Sequence, residues 1–420
     1  RLIESIMEAN ILSKNIEIMS PAGSFAALHA AIDAGAGSVY FGLEHLNMRA
    51  RSSRTFTVDD LSDIVAICEK CGVKSYMTLN TVIYNEDLIL MRSLCDAAKD
   101  CGVSAVIASD IAVMEHARSI GLEVHISTQA NVSNIEAVKF YSRYADVVVL
   151  ARELSLEQIA AICSAIKDDD IRGPSGELIK VELFVHGALC VGISGKCYMS
   201  LAQYNASANR GECLQSCRRK YRVTDDDTGD ELIIDNEYVM SPKDLCTIGA
   251  LDKILAAGVT ILKLEGRGRP PEYVHTVTKT YHDAVDSVLS GTYSPERVSM
   301  WKEQLATVYN RGFWHGGYYL GKDTGEWAGT YGSQATTKKE YIGKVTNYFK
   351  NIGVAEFKIE SGAINDGDEI IITGDTTGMI SMKVSSLRSE TKTTAKGDVV
   401  TFPVVEKVRK NDKLFIIVRK

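Results

Sequence analysis

Residues 17–42 read EIMSPAGSFAALHAAIDAGAGSVYFG. A short apolar run, Glu17–Ser20, precedes an amphipathic segment, Phe25–Ala34; Gly35 and a second run, Ser38–Gly42, follow. The glycine stands just past the helical pattern, where a left-handed C-cap belongs. The unit therefore reads strand, helix, strand. It recurs along the chain, with further strands expected at Val73–Leu79, Ala105–Ala108, Glu123–Thr128, Asp146–Ala151, Val181–Val185 and Thr260–Leu264. Amphipathic segments at Val58–Lys70, Asp87–Lys99, Ile111–Ile120, Ile135–Tyr144 and Leu156–Ile166 lie between them. Strand–helix alternation repeated eight times predicts an α/β fold, a (β/α)8 TIM-like barrel.

Such barrels place their chemistry at the C-terminal ends of the strands. Strand seven is expected to stop at His186-Gly187, and Cys190, Cys197, Cys213 and Cys217 follow among glycines and small polar residues. This excursion, about 188–244, is expected to cover the barrel mouth, since an insertion of such length is usually functional. The spacing is C-x6-C, fifteen residues, then C-x3-C. Zinc sites favour tighter pairs, whereas an iron–sulfur core tolerates wide, glycine-rich loops. An iron–sulfur cluster, expected as 4Fe–4S, is the first reading; zinc, or packed thiols without a ligand role, are the alternatives.

The chain has 420 residues, 45% apolar and 24% charged, with a net charge of −7. That is the composition of an ordinary globular protein, and the negative balance argues against one that simply coats nucleic acid. No apolar run approaches the length of a membrane span, so no membrane partner is expected. The N-terminus has no signal-peptide core and no initiator Met. Ten cysteines without a secretory signal suit a reducing compartment, and a cytoplasmic location is expected.

Expected organisation is a barrel with its insertion over 1–292, a helical and aromatic linker over 293–336, and a small β-barrel domain over 337–420. A helix closing the barrel is expected at Pro271–Ser290 and a linker helix at Pro295–Tyr309, before the glycine- and aromatic-rich RGFWHGGYYLG. Beyond it, IGKVTNYF, VAEFKIE, DEIIIT, MKVSSL, VVTFPV and KLFIIV alternate as short strands, with Gly-Asp turns of a kind found in RNA-contacting barrel modules. From Thr337 onward Lys and Arg outnumber Asp and Glu by 15 to 11. A basic terminal module is compatible with an anionic partner.

Polar residues just beyond barrel strands point into the mouth, so Ser20, Asn80, Ser127, Thr128, Gln129, Arg152, Glu153, His186, Lys263, Glu265 and Arg267 are candidates. Arg152, His186, Glu265 and Arg267 are the expected catalytic set. His186 is either an acid/base or a packed ring behind the cysteine loop. The arginines, with Arg49 and Arg51 added from the loop after strand two, can grip a small dicarboxylate or phosphate bidentately. Arg218, Arg219, Lys220, Tyr221 and Arg222 form a basic aromatic run suited to RNA phosphates and a stacked base. Cys68 and Cys71, like the remaining scattered cysteines, read as packing residues. The chain has no H-E-x-x-H, G-x-S-x-G, Walker or dinucleotide motif.

The run Glu182, Phe184, Gly187-Ala188-Leu189-Cys190, Gly195, Cys197 and Ser200 resembles the signature of the collagenase-like peptidase family, numbered thirty-two among peptidases of unassigned type. Further matching motifs are SPAG (20–23), VYFG (39–42), MRARS (48–52), SPKDL (241–245), KLEGRGRPPEYV (263–274) and RGFWHGGYYLG (311–321). Within the family the chain is most similar to the prephenate-dependent tRNA uridine hydroxylases. That resemblance implies an enzyme forming 5-hydroxyuridine at the wobble position without molecular oxygen, with prephenate as co-substrate, tRNA as partner and a cluster on the four cysteines. The family's other implied activity is that of a collagenase-like peptidase; a non-catalytic RNA-binding factor with a structural cluster is a third reading.

Overall fold

The computed structural model describes residues 16–49, 56–219, 224–229, 241–321, 326–328, 330, 332–389 and 394–420. Seven parallel strands come first: β1 (Glu17–Pro21), β2 (Ser38–Gly42), β3 (Lys74–Leu79), β4 (Ala105–Ala108), β5 (Glu123–Ile126), β6 (Val147–Val149) and β7 (Lys180–Gly187). β9 (Ile261–Leu264) pairs with both β7 and β1 and closes the barrel. Eight strands therefore make the ring, at the positions the apolar runs predict.

The helices between them are α1 (Phe25–Asp33), α2 (Leu61–Lys70), α3 (Leu88–Asp100), α4 (Ile111–Ser119), α5 (Ile135–Tyr141) and α6 (Leu156–Asp168). Local chemistry sets their ends. Ser24 caps α1, its hydroxyl accepting from the Ala27 amide at 3.2 Å, and Gly35 stops it at φ +90°, a left-handed conformation that a side chain disfavours.

Alternation along each strand divides the core in two. Ile18, Val39, Met77, Val106, Val148 and Leu262 face the helical layer, while Met19, Tyr40, Tyr76, Ala105, Ile107, Val147 and Ile261 fill the barrel. Burying one such aliphatic side chain contributes about 1.5–3 kcal/mol, so the layered repeat outweighs any single loop preference.

β7 is eight residues long and runs past the rim. Its end pairs antiparallel with β8 (Asp244–Cys246), which pairs in turn with β10 (Phe313–His315). Between them lie a short helix of the insertion, α7 (Met199–Tyr204), then α8 (Leu251–Ala256), α9 (Pro271–Leu289) and α10 (Pro295–Thr307). The glycine- and aromatic-rich stretch thus packs on the barrel: Trp314 is buried, and the Tyr319 hydroxyl donates to the Phe184 carbonyl at 2.6 Å.

The C-terminal sheet is antiparallel. It comprises β11 (Thr337–Phe349), β12 (Val354–Ile359), β13 (Glu369–Gly374), β14 (Gly378–Lys383), β15 (Arg388–Ser389), β16 (Val399–Pro403) and β17 (Lys413–Arg419), in the order β14-β13-β17-β11-β12-β16-β15. It wraps its own core, in which the Phe357 and Phe402 rings stack at 4.4 Å. The strand expected at MKVSSL begins earlier, at Gly378, because β13 and β14 form a hairpin whose register starts at Gly374–Gly378. β14 lies on α1, where Gly378 meets His29, and Lys339 bonds Glu272 of α9 at 2.8 Å. Among the described residues no helix is long and apolar enough to cross a membrane.

Candidate active site

A cavity of about 470 Å³ opens at the C-terminal ends of the barrel strands. Tyr40, Thr78, Phe184 and Lys263 rise from the strands to form its floor, and the insertion after β7 forms its opposite wall. In the floor, Lys263 Nζ lies 2.6 Å from Glu182 Oε1 and 4.7 Å from the centre of the Tyr40 ring. Both members of this ion pair are almost wholly buried, 5% and 0% exposed. The second Glu182 oxygen has no hydrogen-bond partner among the described residues.

Above the floor the charge is unbalanced. Arg49 Nη2 lies 2.7 Å from Glu265 Oε1, and the Tyr40 hydroxyl donates to Glu265 Oε2 at 3.2 Å. Burial opposes ionisation of Glu265, but the charges of Arg49, Arg152 and Arg267 outweigh it and hold the carboxyl at about 2. Arg267 donates to Thr78 Oγ1 at 2.6 Å and to Asn47 Oδ1 at 3.2 Å. It fits because residue 42 is glycine: a Cβ there would stand 2.4 Å from the Arg267 guanidinium. Arg152 stacks 4.0 Å over Phe184 and donates to the Ala188 carbonyl at 3.3 Å, with its buried Nε unpartnered among the described residues. Three guanidiniums thus surround one carboxylate, an arrangement with capacity for a second anion.

The insertion is strapped across the mouth. Asn209 accepts from the Val82 amide at 3.1 Å; Arg210 binds the Val82 carbonyl at 3.2 Å, pairs with Asp87 and stacks 4.0 Å over Tyr84. The lid therefore reaches from β7 to the loop after β3. Ser200 Oγ accepts from the Leu214 amide at 3.0 Å, which draws the two cysteine-bearing arms together.

Cys190, Cys197, Cys213 and Cys217 all line the cavity. Burial raises the Cys217 thiol, Arg218 opposes the rise, and the other three cysteines add to it, as expected of thiols gathered in one place. Among the described residues no group of three or more His, Cys, Asp or Glu side chains is arranged around one metal ion. Four soft donors spread over a cavity wall suit a polynuclear thiolate-bound core better than a single tetrahedral cation.

Other expected site residues are placed differently. His186 is not on the cavity wall: it is 2% exposed, among Tyr273, Tyr281 and Phe313, with Nδ1 3.4 Å from the Tyr281 hydroxyl. Burial lowers it to about 3, so the ring is neutral, and this geometry favours the packed role over the acid/base one. Ser20 bonds Thr278 of α9 at 2.7 Å, behind the barrel wall. Arg218 is a strut rather than a free cation, donating to the Leu189 and Pro242 carbonyls and to Ser241. Arg219 is exposed and lies against Tyr204. Arg51, Lys220, Tyr221 and Arg222 fall outside the described residues.

Asn80, Ser127, Thr128, Gln129 and Lys263 do line the cavity. Two further pairs there were not expected. Arg311 Nη1 bonds Asp244 Oδ1 at 3.1 Å, and Arg269 stacks 3.4 Å over Tyr309. The SPKDL and RGFWHGG motifs signal the first pair; their contact through β8 and β10 supplies the reason.

The model of peptidase family U32 matches residues 23–329. A protein of Porphyromonas gingivalis named collagenase is 56% identical over 404 residues, covering 96% of this chain and 97% of its own. The tRNA hydroxylation protein P1 of Bacillus subtilis is 30% identical over 376 residues, 87% of this chain and 85% of that protein. The 23S rRNA 5-hydroxycytidine C2501 synthase of Escherichia coli is 34% identical over 280 residues, 66% of this chain and 40% of that protein.

Proposed function

The chain belongs to peptidase family U32, and from that premise we propose that it is an RNA-modifying hydroxylase. In this reading it forms 5-hydroxyuridine at the wobble position of tRNA without molecular oxygen. Its co-substrate is prephenate, and Cys190, Cys197, Cys213 and Cys217 hold a 4Fe–4S cluster. The observation that carries the reading is the sharing of one cavity by four thiols and an arginine-rich floor. RNA hydroxylation in relatives at 30% and 34% identity supports it.

Each floor residue has a role that follows from its contacts. Lys263 is neutralised by Glu182 and Arg311 by Asp244, so the unspent positive charge belongs to Arg49, Arg152 and Arg267, with Arg269 beside them over Tyr309. These bind the two carboxylates of the co-substrate. Glu265 stays ionised and fixes Arg49, while Tyr40 fixes Glu265 in turn. The lid screens the floor from water, which strengthens every charge interaction beneath it. A bound cluster supplies electron transfer at this wall. The uridine reaches the cavity from an anticodon loop, where unstacking a base costs least.

The 56% identity to a protein named collagenase favours a second reading, a peptidase with a thiol nucleophile. Such a thiol needs a base within hydrogen-bond reach. Among the described residues no histidine lines the cavity. The test is to express the chain in a host lacking wobble uridine hydroxylation and analyse its tRNA nucleosides. An added oxygen on uridine, dependent on all four cysteines, is expected. Unchanged nucleosides, together with gelatin cleavage that needs one cysteine alone, would establish the peptidase instead.

A further inference from the structure

The cavity side of the lid carries the four cysteines; its outer side carries a different set of residues. Tyr198 is 71% exposed and Tyr204 44%, flanking the inward Ser200 at 2%. Across the strap, Tyr84 is 48% exposed. Each of two rings already holds an arginine: Arg210 lies 4.0 Å over Tyr84 and Arg219 5.3 Å over Tyr204. The interior accounts for none of these rings, and large exposed aromatics beside a cavity mouth mark a contact surface.

Charge identifies the contact. Residues 191–219 contain four Lys or Arg and a single Glu, in a chain whose net charge is −7. Arg218 is held by carbonyls and Arg210 by Asp87, which leaves Lys196 and Arg219 as the exposed cations. A positive, aromatic rim on a negative protein suits a polyanion with flat rings. An arginine plane over a tyrosine continues a stack to which a base can be added; Arg210 is already paired with Asp87, so the rim's phosphate contacts belong to the exposed Arg219 and Lys196.

We propose that Tyr84, Tyr198 and Tyr204, with Arg210 and Arg219, form a stacking platform for an unpaired RNA loop at the cavity mouth. The inference rests on the RNA reading above and adds the surface that delivers the base. Stacking tolerates any base, so this platform supplies affinity and orientation, while the cavity selects the nucleotide. The Arg210–Asp87 strap serves twice, closing the lid and fixing the Tyr84 stack.

The test uses the full chain, purified anaerobically, and a fluorescent RNA stem-loop with an unpaired, pyrimidine-rich loop. Replacing Tyr84, Tyr198 or Tyr204 by Ala is expected to weaken binding about tenfold each, the scale of one lost base–aromatic stack. Tyr84→Phe and Tyr198→Phe retain the ring and should bind as the unaltered chain does. Thermal unfolding of the Tyr198→Ala protein should be unchanged, because that ring is 71% exposed. Unaltered RNA binding in all three Ala variants would overturn the platform and leave the RNA reading standing. No RNA binding by the unaltered chain would overturn both. Gelatin binding or self-association lost in the same variants, with RNA binding retained, would assign the surface to a polypeptide or to a second copy.

Discussion

Arg49 Nη2 lies 2.7 Å from Glu265 Oε1, although 216 residues separate them. The loop after β2 and the end of β9 thereby share one charge pair across the barrel seam. Arg267, two residues on from Glu265, is held by Thr78 and Asn47 and completes a ring of contacts among β2, β3 and β9.

Glu265→Gln keeps the shape and removes the charge. The carboxyl is held at about 2 rather than its ordinary 4.5, so ionised Glu265 stabilises the fold above pH 4.5, and that contribution fades as pH falls toward 2. The difference corresponds to on the order of 3 kcal/mol. Urea unfolding of both proteins across this range should show a gap at neutral pH that closes in acid. A gap independent of pH would refute the charge ring.

His186 is held neutral well below the pH at which a catalytic imidazole exchanges its proton. Its folded value, about 3, lies below the ordinary 6.5, so the unfolded chain takes up a proton that the folded one refuses. The fold should therefore lose stability progressively as pH drops from 6.5 toward 3. His186→Phe, placed among Tyr273, Tyr281 and Phe313, should flatten that loss. An activity profile with a limb near 6.5 that vanishes in the variant would restore the acid/base role.

Lys263 and Glu182 should behave as a buried pair. Lys263→Met leaves the buried Glu182 carboxyl without its cation and is expected to cost about 3–5 kcal/mol, whereas Lys263→Met with Glu182→Leu should recover much of it. Denaturant midpoints of the two single variants and the double variant measure the coupling. Additive losses would contradict it.

Arg152→Lys should weaken dicarboxylate binding by about tenfold or more, since an ammonium cannot both stack on Phe184 and present a planar fork. Calorimetric titration with prephenate reads the change. Equal affinity would remove Arg152 from the clamp.

The barrel was legible because each strand is a short apolar run ended by a helix pattern and a glycine, signals that lie within a few residues of one another. β8 and β10 were not: Asp244–Cys246 and Phe313–His315 are three residues each, too short for periodicity, and pair only once β7 overshoots the rim. The thiol quartet was visible from composition and spacing. His186 was ambiguous since its neighbours come from α9 and β10, far along the chain. Arg218 looked like surface charge because carbonyl partners leave no trace in sequence.

In the proposed enzyme the four cysteine thiols together hold an iron–sulfur core over the arginine floor. Iron and acid-labile sulfide should be measured in the anaerobically purified chain and in the Cys190→Ala, Cys197→Ala, Cys213→Ala and Cys217→Ala proteins. Iron with sulfide in the unaltered chain, diminished in all four variants, is the expected result. A chain without iron, or one carrying zinc alone, would contradict the account.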